Sequence, residues 1–294
     1  MGLAGEAVNL GHKPGFDKRE YPMTDRDFAF IRALAKSNTG IELGDQKKEM
    51  IYSRIVRRIR SLRLNSFAAY CHYLENNLDI ELTDFINAIT TNLTAFFREA
   101  HHFDFLKQTV LPELKQIHQS DKRLRIWSAG CSTGEEPYSL AITLHEALHG
   151  SNGWNARILA TDLDSNVVAH GRTGIYSAER FRGLDPKMVG KYFSRPCDDN
   201  FSDGSLMVND GLKQYITFNR LNLLGPWPMK GKFDVIFCRN VVIYFSKDTQ
   251  RVLFDRYADI LNPNGYLFIG HSESLHGVSK RFESLGRTIY RKTE

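Results

Sequence analysis

The amino-acid sequence predicts an α/β protein in two parts: an all-α N-terminal domain, then a doubly wound parallel sheet with a small antiparallel β insertion. Two observations support this fold class. Residues 23–119 contain only helical patterns, whereas short apolar strands alternate with helices from residue 124 onwards. Strands and helices that alternate at this spacing are typical of a parallel sheet covered by helices on both faces.

The N-terminal helices are indicated by apolar residues at helical spacing and by polar caps. Thr24 or Asp25 can cap the first helix, and the segment 46–63 places isoleucine or leucine on one face. Residues 1–22 lack the apolar core of a secretory signal and are expected to form a mobile tail. The predicted helices are 27–37, 46–63, 66–76, 80–90 and 99–118, which gives a helical domain at 23–95 and a linker helix at 96–123.

The C-terminal domain is predicted at 124–294. An irregular stretch at about 174–219 contains β-like runs around an acidic turn and is predicted to be the antiparallel insertion. The last segment, 282–291, is centred on Gly286 and is predicted to form an antiparallel edge hairpin. The other predicted strands are 124–129, 156–161, 233–238 and 265–269, with helices at 135–149 and 247–261.

Composition excludes several classes of protein. The chain has 294 residues, of which 42% are hydrophobic and 25% charged, and no apolar run approaches the roughly 18 residues that a membrane span needs. Its four cysteines are scattered without a C-x-x-C pair, which favours a reducing cytoplasm over a disulfide framework. The histidines show no metal-ligand spacing, and the adjacent His101 and His102 are not expected to share a helix face, so no metal is expected.

A glycine-rich turn follows the first predicted strand, where Gly130 and Gly134 precede Glu135 and Glu136. Such a turn lets a ligand approach the backbone and the free N–H groups at the start of a helix. A dinucleotide site would require G-x-G-x-x-G, and two acids after the second glycine would repel a pyrophosphate. Two other chemistries remain open for this turn.

One alternative is a serine esterase of the α/β-hydrolase type. The turn contains a literal G-x-S-x-G around Ser132, and Asp234 and His271 follow in the chain order of a hydrolase triad. Against this alternative, the sequence contains no upstream glycine-rich loop for an oxyanion hole. The turn also follows the first strand of the sheet, where a hydrolase would place it after several strands.

The other alternative is a nucleoside with a positive charge in place of a phosphate. Glu135 and Glu136 would then attract the ligand. A carboxylate is expected at the end of the second strand, where it can accept hydrogen bonds from both ribose hydroxyls, and Asp162 stands at that position. Asp164, two residues later, is better explained as the cap of the next helix.

These motifs resemble those of the CheR family, the chemotaxis receptor glutamate methyltransferases. The likeness runs from about residue 24 to the end of the chain, with several unlinked motifs in the same order. It implies a Rossmann-like methyltransferase sheet that uses S-adenosyl-L-methionine and releases S-adenosyl-L-homocysteine. The matching segments are 92–99 (NLTAFFRE), 132–139 (STGEEPYS), 160–164 (ATDLD), 237–245 (FCRNVVIYF) and 270–273 (GHSE).

The resemblance also implies roles for individual residues. Arg98 and Tyr244 are expected nearest the transferred methyl group. The stretch 195–208 corresponds to the family's β-subdomain, in which Arg195 would contact the substrate. A longer acidic turn at 198–203 departs from the family pattern, which leaves binding of a receptor tail peptide open. The expected cofactor contacts are Asn92, Thr94, Arg98, Glu135, Glu136, Asp162, Asn222, Leu223, Arg239 and Asn240.

The implied reaction fits the chemistry of these residue types. A glutamate carboxylate, with a reference pKa of about 4.3, is already nucleophilic at pH 7, so no general base is needed. Arg98 could orient this carboxylate through paired N–H bonds. A structural pair of Arg98 with an acidic neighbour, and strand-end packing of Tyr244, are the alternatives.

The segment 46–63 carries seven lysines and arginines against the single acid Glu49. A basic helix face is often merely solvated, but this excess could attract an acidic helical substrate over about 8 Å, the Debye length in physiological salt. Arg54, Arg57 and Arg58 are therefore expected to bind the substrate. Nucleic acid would be attracted too, although the N/D-P-P-Y/F stretch of many base methylases is replaced by the residues from Arg239 onwards.

The expected protein is thus a cytoplasmic, monomeric protein-glutamate methyltransferase. It would act on the acidic helical cytoplasmic domain of chemotaxis receptors, without nucleic acid and without membrane insertion. The alternatives are the serine esterase, a nucleic-acid methyltransferase and a non-catalytic cofactor sensor.

Overall fold

The computed structural model describes residues 20–196 and 204–293. The predicted mobile tail up to residue 19 and the acidic turn at 198–203 lie outside the described residues. In chain order the helices are α1 (Asp25–Thr39), α2 (Lys48–Ser61), α3 (Phe67–Asn76), α4 (Leu78–Ile89), α5 (His101–Phe105), α6 (Leu111–Ile117), α7 (Glu135–Leu148), α8 (Ser165–Thr173), α9 (Pro186–Tyr192), α10 (Asp210–Lys213) and α11 (Lys247–Ile260). The strands are β1 (Arg123–Ala129), β2 (Asn155–Asp162), β3 (Ile175–Tyr176), β4 (Phe193–Ser194), β5 (Leu206–Val208), β6 (Ile216–Arg220), β7 (Phe233–Cys238), β8 (Leu261–Ile269), β9 (Phe282–Gly286) and β10 (Ile289–Lys292).

Helices α1–α4 pack into one apolar core, as the helical patterns predict. Helix α1 begins at Asp25 because Thr24 and Asp27 form a capping box, in which each side chain accepts a hydrogen bond from the other residue's backbone N–H. The predicted apolar face of α2 is buried at Ile51, Ile55 and Ile59. A short 3₁₀ turn precedes α2, so the predicted helix 46–63 is shorter and in two pieces.

The predicted linker helix at 99–118 is one helical run with an irregular centre. A π-helical turn at Leu106–Val110 joins α5 to α6. Pro112 follows this turn and cannot donate a backbone hydrogen bond, which is a sufficient reason for the regular α-helical ladder to break nearby.

The main sheet has seven strands in the order β6-β2-β1-β7-β8-β10-β9. The five strands from β6 to β8 are parallel, and β9 and β10 form the predicted antiparallel hairpin at one edge. From β1 the chain adds β2 and β6 on one side of the sheet and then β7 and β8 on the other. The strand order therefore changes direction between β1 and β7, although these strands are all parallel. The carboxyl ends of these strands are where a doubly wound sheet binds its ligand.

The predicted insertion is a separate three-stranded antiparallel sheet in the order β3-β5-β4. Its predicted end at residue 219 is wrong, because β6 pairs with β2 in the main sheet. Strand β6 is half-exposed at the sheet edge and lacks the continuous apolar run that marks a central strand, which explains the error. Phe96 stacks on Phe181 and meets Phe193 edge-on, and these contacts fasten the insertion to the linker.

No helix in the ranges 20–196 and 204–293 is both long enough and apolar enough to cross a bilayer.

Candidate functional site

A cavity lies at the carboxyl ends of β1, β2 and β7, between these strands and the N-terminal helices. It contains about 980 Å³ of space, part of it open to solvent. Ten of the eleven residues predicted to bind the cofactor or carry the chemistry line it: Asn92, Thr94, Arg98, Glu136, Asp162, Asn222, Leu223, Arg239, Asn240 and Tyr244.

Asp162 ends β2 and forms part of the cavity wall. Its Oδ2 accepts a hydrogen bond from the backbone N–H of Ser132 at 2.9 Å, and its Oδ1 accepts one from the N–H of Asp164 at 3.0 Å. Burial raises the pKa of Asp162 to about 6, although both hydrogen bonds favour the ionised form. Each oxygen keeps a further lone pair, so the carboxylate can accept two hydroxyl groups from a ligand in the cavity.

Glu136 and Arg239 form a buried ion pair beside Asp162. Arg239 Nε donates to Glu136 Oε2 at 2.9 Å, and Ser128 Oγ donates to Oε1 at 2.7 Å. The side chains are only 9% and 2% exposed, so the pair is shielded from solvent. Neither group therefore adds much net charge to the cavity.

The remaining nitrogens of Arg239 hold the linker. Nη2 donates to the carbonyl of Arg98 at 2.6 Å, and Nη1 lies 3.0 Å from His102 Nδ1. His102 Nε2 lies 3.0 Å from the carbonyl of Arg287, so Nε2 carries the proton and Nδ1 accepts from Arg239. Burial and the Arg239 charge lower the pKa of His102 to about 4, which keeps the imidazole neutral at pH 7.

The structure does not bring Glu135 into the cavity. Its fully buried Oε2 accepts a hydrogen bond from Thr133 Oγ1 at 2.6 Å, and Oε1 lies 3.6 Å from Arg180 Nη1. Successive helical residues point about 100° apart, which is why Glu135 and Glu136 face different surroundings. The position of Glu135 does not support its predicted contact with the cofactor.

Asp164 caps α8, as predicted, and also holds the start of the linker. Its Oδ1 accepts hydrogen bonds from the N–H groups of Asn166 and Val167, and its Oδ2 accepts from Thr90 Oγ1 and Asn92 Nδ2, both at 2.8 Å. This second pair of contacts joins the end of α4 to the sheet. No local sequence pattern indicates these contacts, because they join residues that only the tertiary fold brings together.

Asn222 lines the cavity and also makes hydrogen bonds within its own loop and to the end of α1. Its Oδ1 accepts from the N–H of Leu224 at 3.0 Å, and its Nδ2 donates to the carbonyl of Asn38, at the end of α1, at 2.9 Å. Leu223 is almost fully buried beside it. The side-chain amide of Asn222 thus fixes the loop against the helical region.

Three of the cavity-lining side chains, those of Arg98, Lys47 and Tyr244, add two positive charges and an aromatic ring. Arg98 Nη1 donates to the carbonyl of Leu93 at 2.8 Å, and Lys47 Nζ lies 3.8 Å from the ring centroid of Tyr244. Burial and the nearby charge of Arg54 lower the pKa of Lys47. Within the described ranges no carboxylate lies within ion-pair distance of Arg98 or Lys47, so the structural Arg98 pair considered from the sequence is not formed there.

Lys47 was missed by the sequence interpretation. It stands in the 3₁₀ turn before α2, and a lysine at such a position has no motif that separates it from six other basic residues of the segment. Only its place in the cavity wall distinguishes it.

The three predicted substrate-binding arginines of α2 differ in surroundings. Arg57 is exposed, whereas Arg58 makes a two-pronged ion pair with the buried Glu81, with contacts of 2.8 and 2.6 Å. Arg54 donates to the carbonyls of Ala88 and Thr90 at the end of α4. Folding thus commits the side chains of Arg54 and Arg58 to contacts with α4, and the binding of substrate by all three arginines stays a prediction.

Arg195 is exposed at the end of the described part of the insertion and does not line the cavity. Its predicted contact with a substrate remains a prediction. The acidic turn at 198–203, which leaves tail-peptide binding by the insertion open, lies outside the residues that the structure describes.

The three residues of the hydrolase alternative do not meet. Ser132 Oγ donates to the carbonyl of Asn92 at 2.9 Å. His271 Nδ1 lies 2.9 Å from Glu99 Oε1, and Asp234 bonds His118 and Asn262 at the amino end of β7. Among the described residues, no hydrogen bond joins Ser132 Oγ to a histidine or carboxylate, so Ser132 lacks the general base that a nucleophilic serine needs.

Glu99, His101 and His102 have potential ligand atoms within 4.8 Å of one another, so the adjacency of the two histidines does not keep their side chains apart. His102 nevertheless has both nitrogens engaged, one with Arg239 and one with the Arg287 carbonyl. A metal ion at this cluster would have to break one of these bonds and sit beside the guanidinium.

Comparison with known proteins gives two family matches. Residues 92–291 match "CheR methyltransferase, SAM binding domain", and residues 26–90 match "CheR methyltransferase, all-alpha domain". The two matches together span nearly all the described residues.

Curated relatives match over most of their length. A probable chemotaxis protein methyltransferase of Rhizobium etli is 42% identical over 259 residues, covering 87% of this chain and 96% of the relative. Chemotaxis protein methyltransferase 2 of Pseudomonas aeruginosa is 43% identical over 278 residues, covering 94% and 96%. The chemotaxis protein methyltransferase of Escherichia coli is 42% identical over 271 residues, covering 91% of each chain.

Proposed function

Because this chain belongs to the CheR methyltransferase family and is a SAM-dependent methyltransferase of chemotaxis, we propose that it esterifies glutamate side chains of chemotaxis receptors. The acceptors lie in the acidic helical cytoplasmic domain of the receptor, and the products are glutamyl methyl esters and S-adenosyl-L-homocysteine. The proposal implies that the enzyme works in the cytoplasm.

The residues at the carboxyl ends of the strands fit the cofactor. Gly130 has φ of +96°, and a Cβ there would lie 2.3 Å from Val241 Cγ2, so only glycine lets the β1 turn and the loop after β7 come this close. Asp162 offers two carboxylate oxygens to the ribose hydroxyls. S-adenosyl-L-methionine, when bound, supplies a methyl group activated by its sulfonium charge.

One observation carries the choice of acceptor: Arg98 and Lys47 line the same cavity as Asp162 and have no carboxylate partner among the described residues. A glutamate carboxylate from another protein can fill this role. It is ionised at pH 7, so the protein only has to hold it, orient it and exclude water. Positioning of this kind can lower a barrier by up to about 7–11 kcal/mol.

In this proposal Arg98 binds the acceptor carboxylate by charge-assisted hydrogen bonds. Lys47 adds a second positive charge, and the ring of Tyr244 fixes the Lys47 ammonium group and narrows the cavity. Asn92, Thr94, Glu136, Asn222, Leu223, Arg239 and Asn240 hold or support the cofactor.

The exposed basic residues of α2 attract the acidic receptor surface. Arg57 on α2 and Arg63 just after the end of α2 are exposed, and both are available to an approaching partner. This attraction is screened beyond about 8 Å in physiological salt, so it affects encounter more than the chemical step. We assign this contact to the helical domain at 23–95, joined by the linker at 96–123 to the cofactor-binding domain at 124–294.

Radiolabelled S-adenosyl-L-methionine and receptor-bearing membranes test the proposal. We expect label on the receptor band that is released as methanol by mild base, because carboxyl esters hydrolyse there and N-methyl groups do not. Receptors with aspartate at the acceptor positions are the control and should stay unlabelled. Base-stable label, or label on nucleic acid only, would refute the proposed acceptor.

A further inference from the structure

Glu273 is buried in the loop after β8, outside the predicted site, and its carboxylate accepts hydrogen bonds from five backbone N–H groups. Oε1 accepts from Val241 at 2.9 Å, Val242 at 2.8 Å and Ile243 at 3.3 Å. Oε2 accepts from Asn240 at 2.9 Å and Gly270 at 2.5 Å. Four of these donors belong to the consecutive residues 240–243, so this one side chain binds the backbone at the start of the loop that follows β7.

The same loop is held from its other end by Gln250 on α11. Gln250 Nε2 donates to the carbonyls of Val242 at 2.8 Å and Phe245 at 3.1 Å. Glu273 therefore binds the first two N–H groups of the short 3₁₀ helix Val242–Tyr244, and Gln250 binds carbonyls at its start and just beyond its end. Both side chains are buried, and neither lines the cavity.

The backbone of this loop is in a conformation that needs such support. Asn240 has φ of +59°, a left-handed conformation that non-glycine residues adopt rarely. Gly270 packs directly against it, since a Cβ on Gly270 would lie 2.5 Å from Asn240 Nδ2. Asparagine tolerates this conformation better than most non-glycine residues, and the hydrogen bonds to Glu273 add to the packing that holds it.

The loop carries cavity-lining residues whose side chains the Glu273 carboxylate does not contact, because it binds only their backbone N–H groups. Asn240 and Tyr244 both line the cavity, one at each end of the segment bound by Glu273. A shift of the 3₁₀ helix would move the Tyr244 ring, and with it the Lys47 ammonium group that sits over the ring.

We propose that Glu273 is a positioning residue for methyl transfer, which sets Asn240 and Tyr244 in the cavity through the backbone amides of residues 240–243. This inference rests on the proposed function for its kinetic consequence. Its structural part, the anchoring of the loop, can be measured independently of the acceptor.

The direct test is Glu273→Gln. The side-chain amide keeps the shape of the carboxylate but replaces one acceptor oxygen by an NH₂ group. Because Oε1 holds three donors and Oε2 two, at least two backbone N–H groups lose their acceptor in either orientation of the amide. Glu283→Gln, the same change at an exposed position on β9, is the matched control.

We expect amide hydrogen exchange of residues 240–243 to become at least about tenfold faster in Glu273→Gln, with exchange in β7 unchanged. With cofactor and receptor saturating, kcat should fall at least about tenfold, and Glu283→Gln should match the wild type. In a double-mutant cycle, Glu273→Gln should have a smaller effect in a Tyr244→Ala background, which lacks the ring, than in the wild type.

Unchanged kcat in a folded Glu273→Gln variant would overturn the inference. So would faster exchange throughout the sheet, which would indicate general destabilisation, or fully additive effects in the cycle. If the wild type labels no receptor, the proposed acceptor fails; local exchange and S-adenosyl-L-homocysteine affinity then still decide whether Glu273 positions the loop, with unchanged values in Glu273→Gln refuting it.

Discussion

Arg239 Nε lies 2.9 Å from Glu136 Oε2, and this buried ion pair joins the end of β7 to the first turn of α7 at the floor of the cavity. The same guanidinium binds the carbonyl of Arg98 and the neutral His102 in the linker. One arginine thus connects three chain segments that are far apart in the sequence. Its hydrogen bonds hold these segments together where they form the cavity wall.

Glu136→Gln should destabilise the fold, because it leaves the Arg239 charge buried without its counter-ion. Loss of one partner from a buried ion pair typically costs about 3–5 kcal/mol. Urea denaturation followed by circular dichroism measures the change. Asp45→Ala, which breaks the exposed pair with Arg32, is the control and should change stability by less than about 1 kcal/mol. Equal effects of the two substitutions would contradict the structural role of the buried pair.

Cofactor affinity should depend on the ionisation of Asp162. Burial raises the pKa of this carboxyl to about 6, so the free site becomes increasingly protonated as the pH falls below 6. A protonated carboxyl has one oxygen acting as donor and accepts ribose hydroxyls less well, so binding should weaken as the pH drops from 7 to 5. Calorimetry with S-adenosyl-L-homocysteine measures both this trend and Asp162→Ala, which should weaken binding at least about tenfold at pH 7. An unchanged affinity in Asp162→Ala would refute the ribose contact.

Lys47→Met should impair the receptor reaction and spare the cofactor. The substitution keeps most of the length of the side chain but removes the charge from the cavity wall, so kcat/KM for the receptor should fall about tenfold. Affinity for S-adenosyl-L-homocysteine should stay within about twofold. Lys48→Met is the matched control, because Lys48 pairs with Asp25 and does not line the cavity. Similar losses at both lysines would point to a general surface effect.

Charge reversal on α2 should separate recognition from folding. Arg57→Glu should raise KM for the receptor several-fold without changing stability, and the effect should shrink in high salt because the charge is exposed. Arg58→Glu should instead unfold the helical region at lower urea, because it leaves buried Glu81 facing a second carboxylate. Equal stability of the two variants would be inconsistent with their different surroundings.

Ser132→Ala should leave methyl transfer nearly intact. Its hydroxyl donates one hydrogen bond to the Asn92 carbonyl, and such a bond contributes about 1 kcal/mol to stability. Assays of the variant with radiolabelled cofactor and with a chromogenic ester measure both activities. An esterase activity in the wild type that this substitution abolishes would restore the hydrolase alternative.

The sequence patterns predicted most of the secondary structure, and the resemblance to the CheR family added most of the ten lining residues that were expected in the cavity. Local signals were sufficient for Thr24, which caps α1, and for Asp164, which caps α8, because a cap depends on neighbours within three residues. The edge strand β6 was assigned to the insertion, because its half-exposed pattern resembles a loop until its pairing with β2 is known.

The sequence by itself determined the kind of protein: a glycine turn between a strand and a helix, an acid at the end of the next strand, and a helical region before them. The tertiary structure decided which charged side chains pair with each other and which can bind a group that enters the cavity. Arg58 meets Glu81 and Arg239 meets Glu136 only after folding, whereas Lys47 and Arg98 face the cavity with no carboxylate partner in the part of the chain that the structure describes. Burial and pairing join residues far apart in the chain, and neither can be read from local sequence.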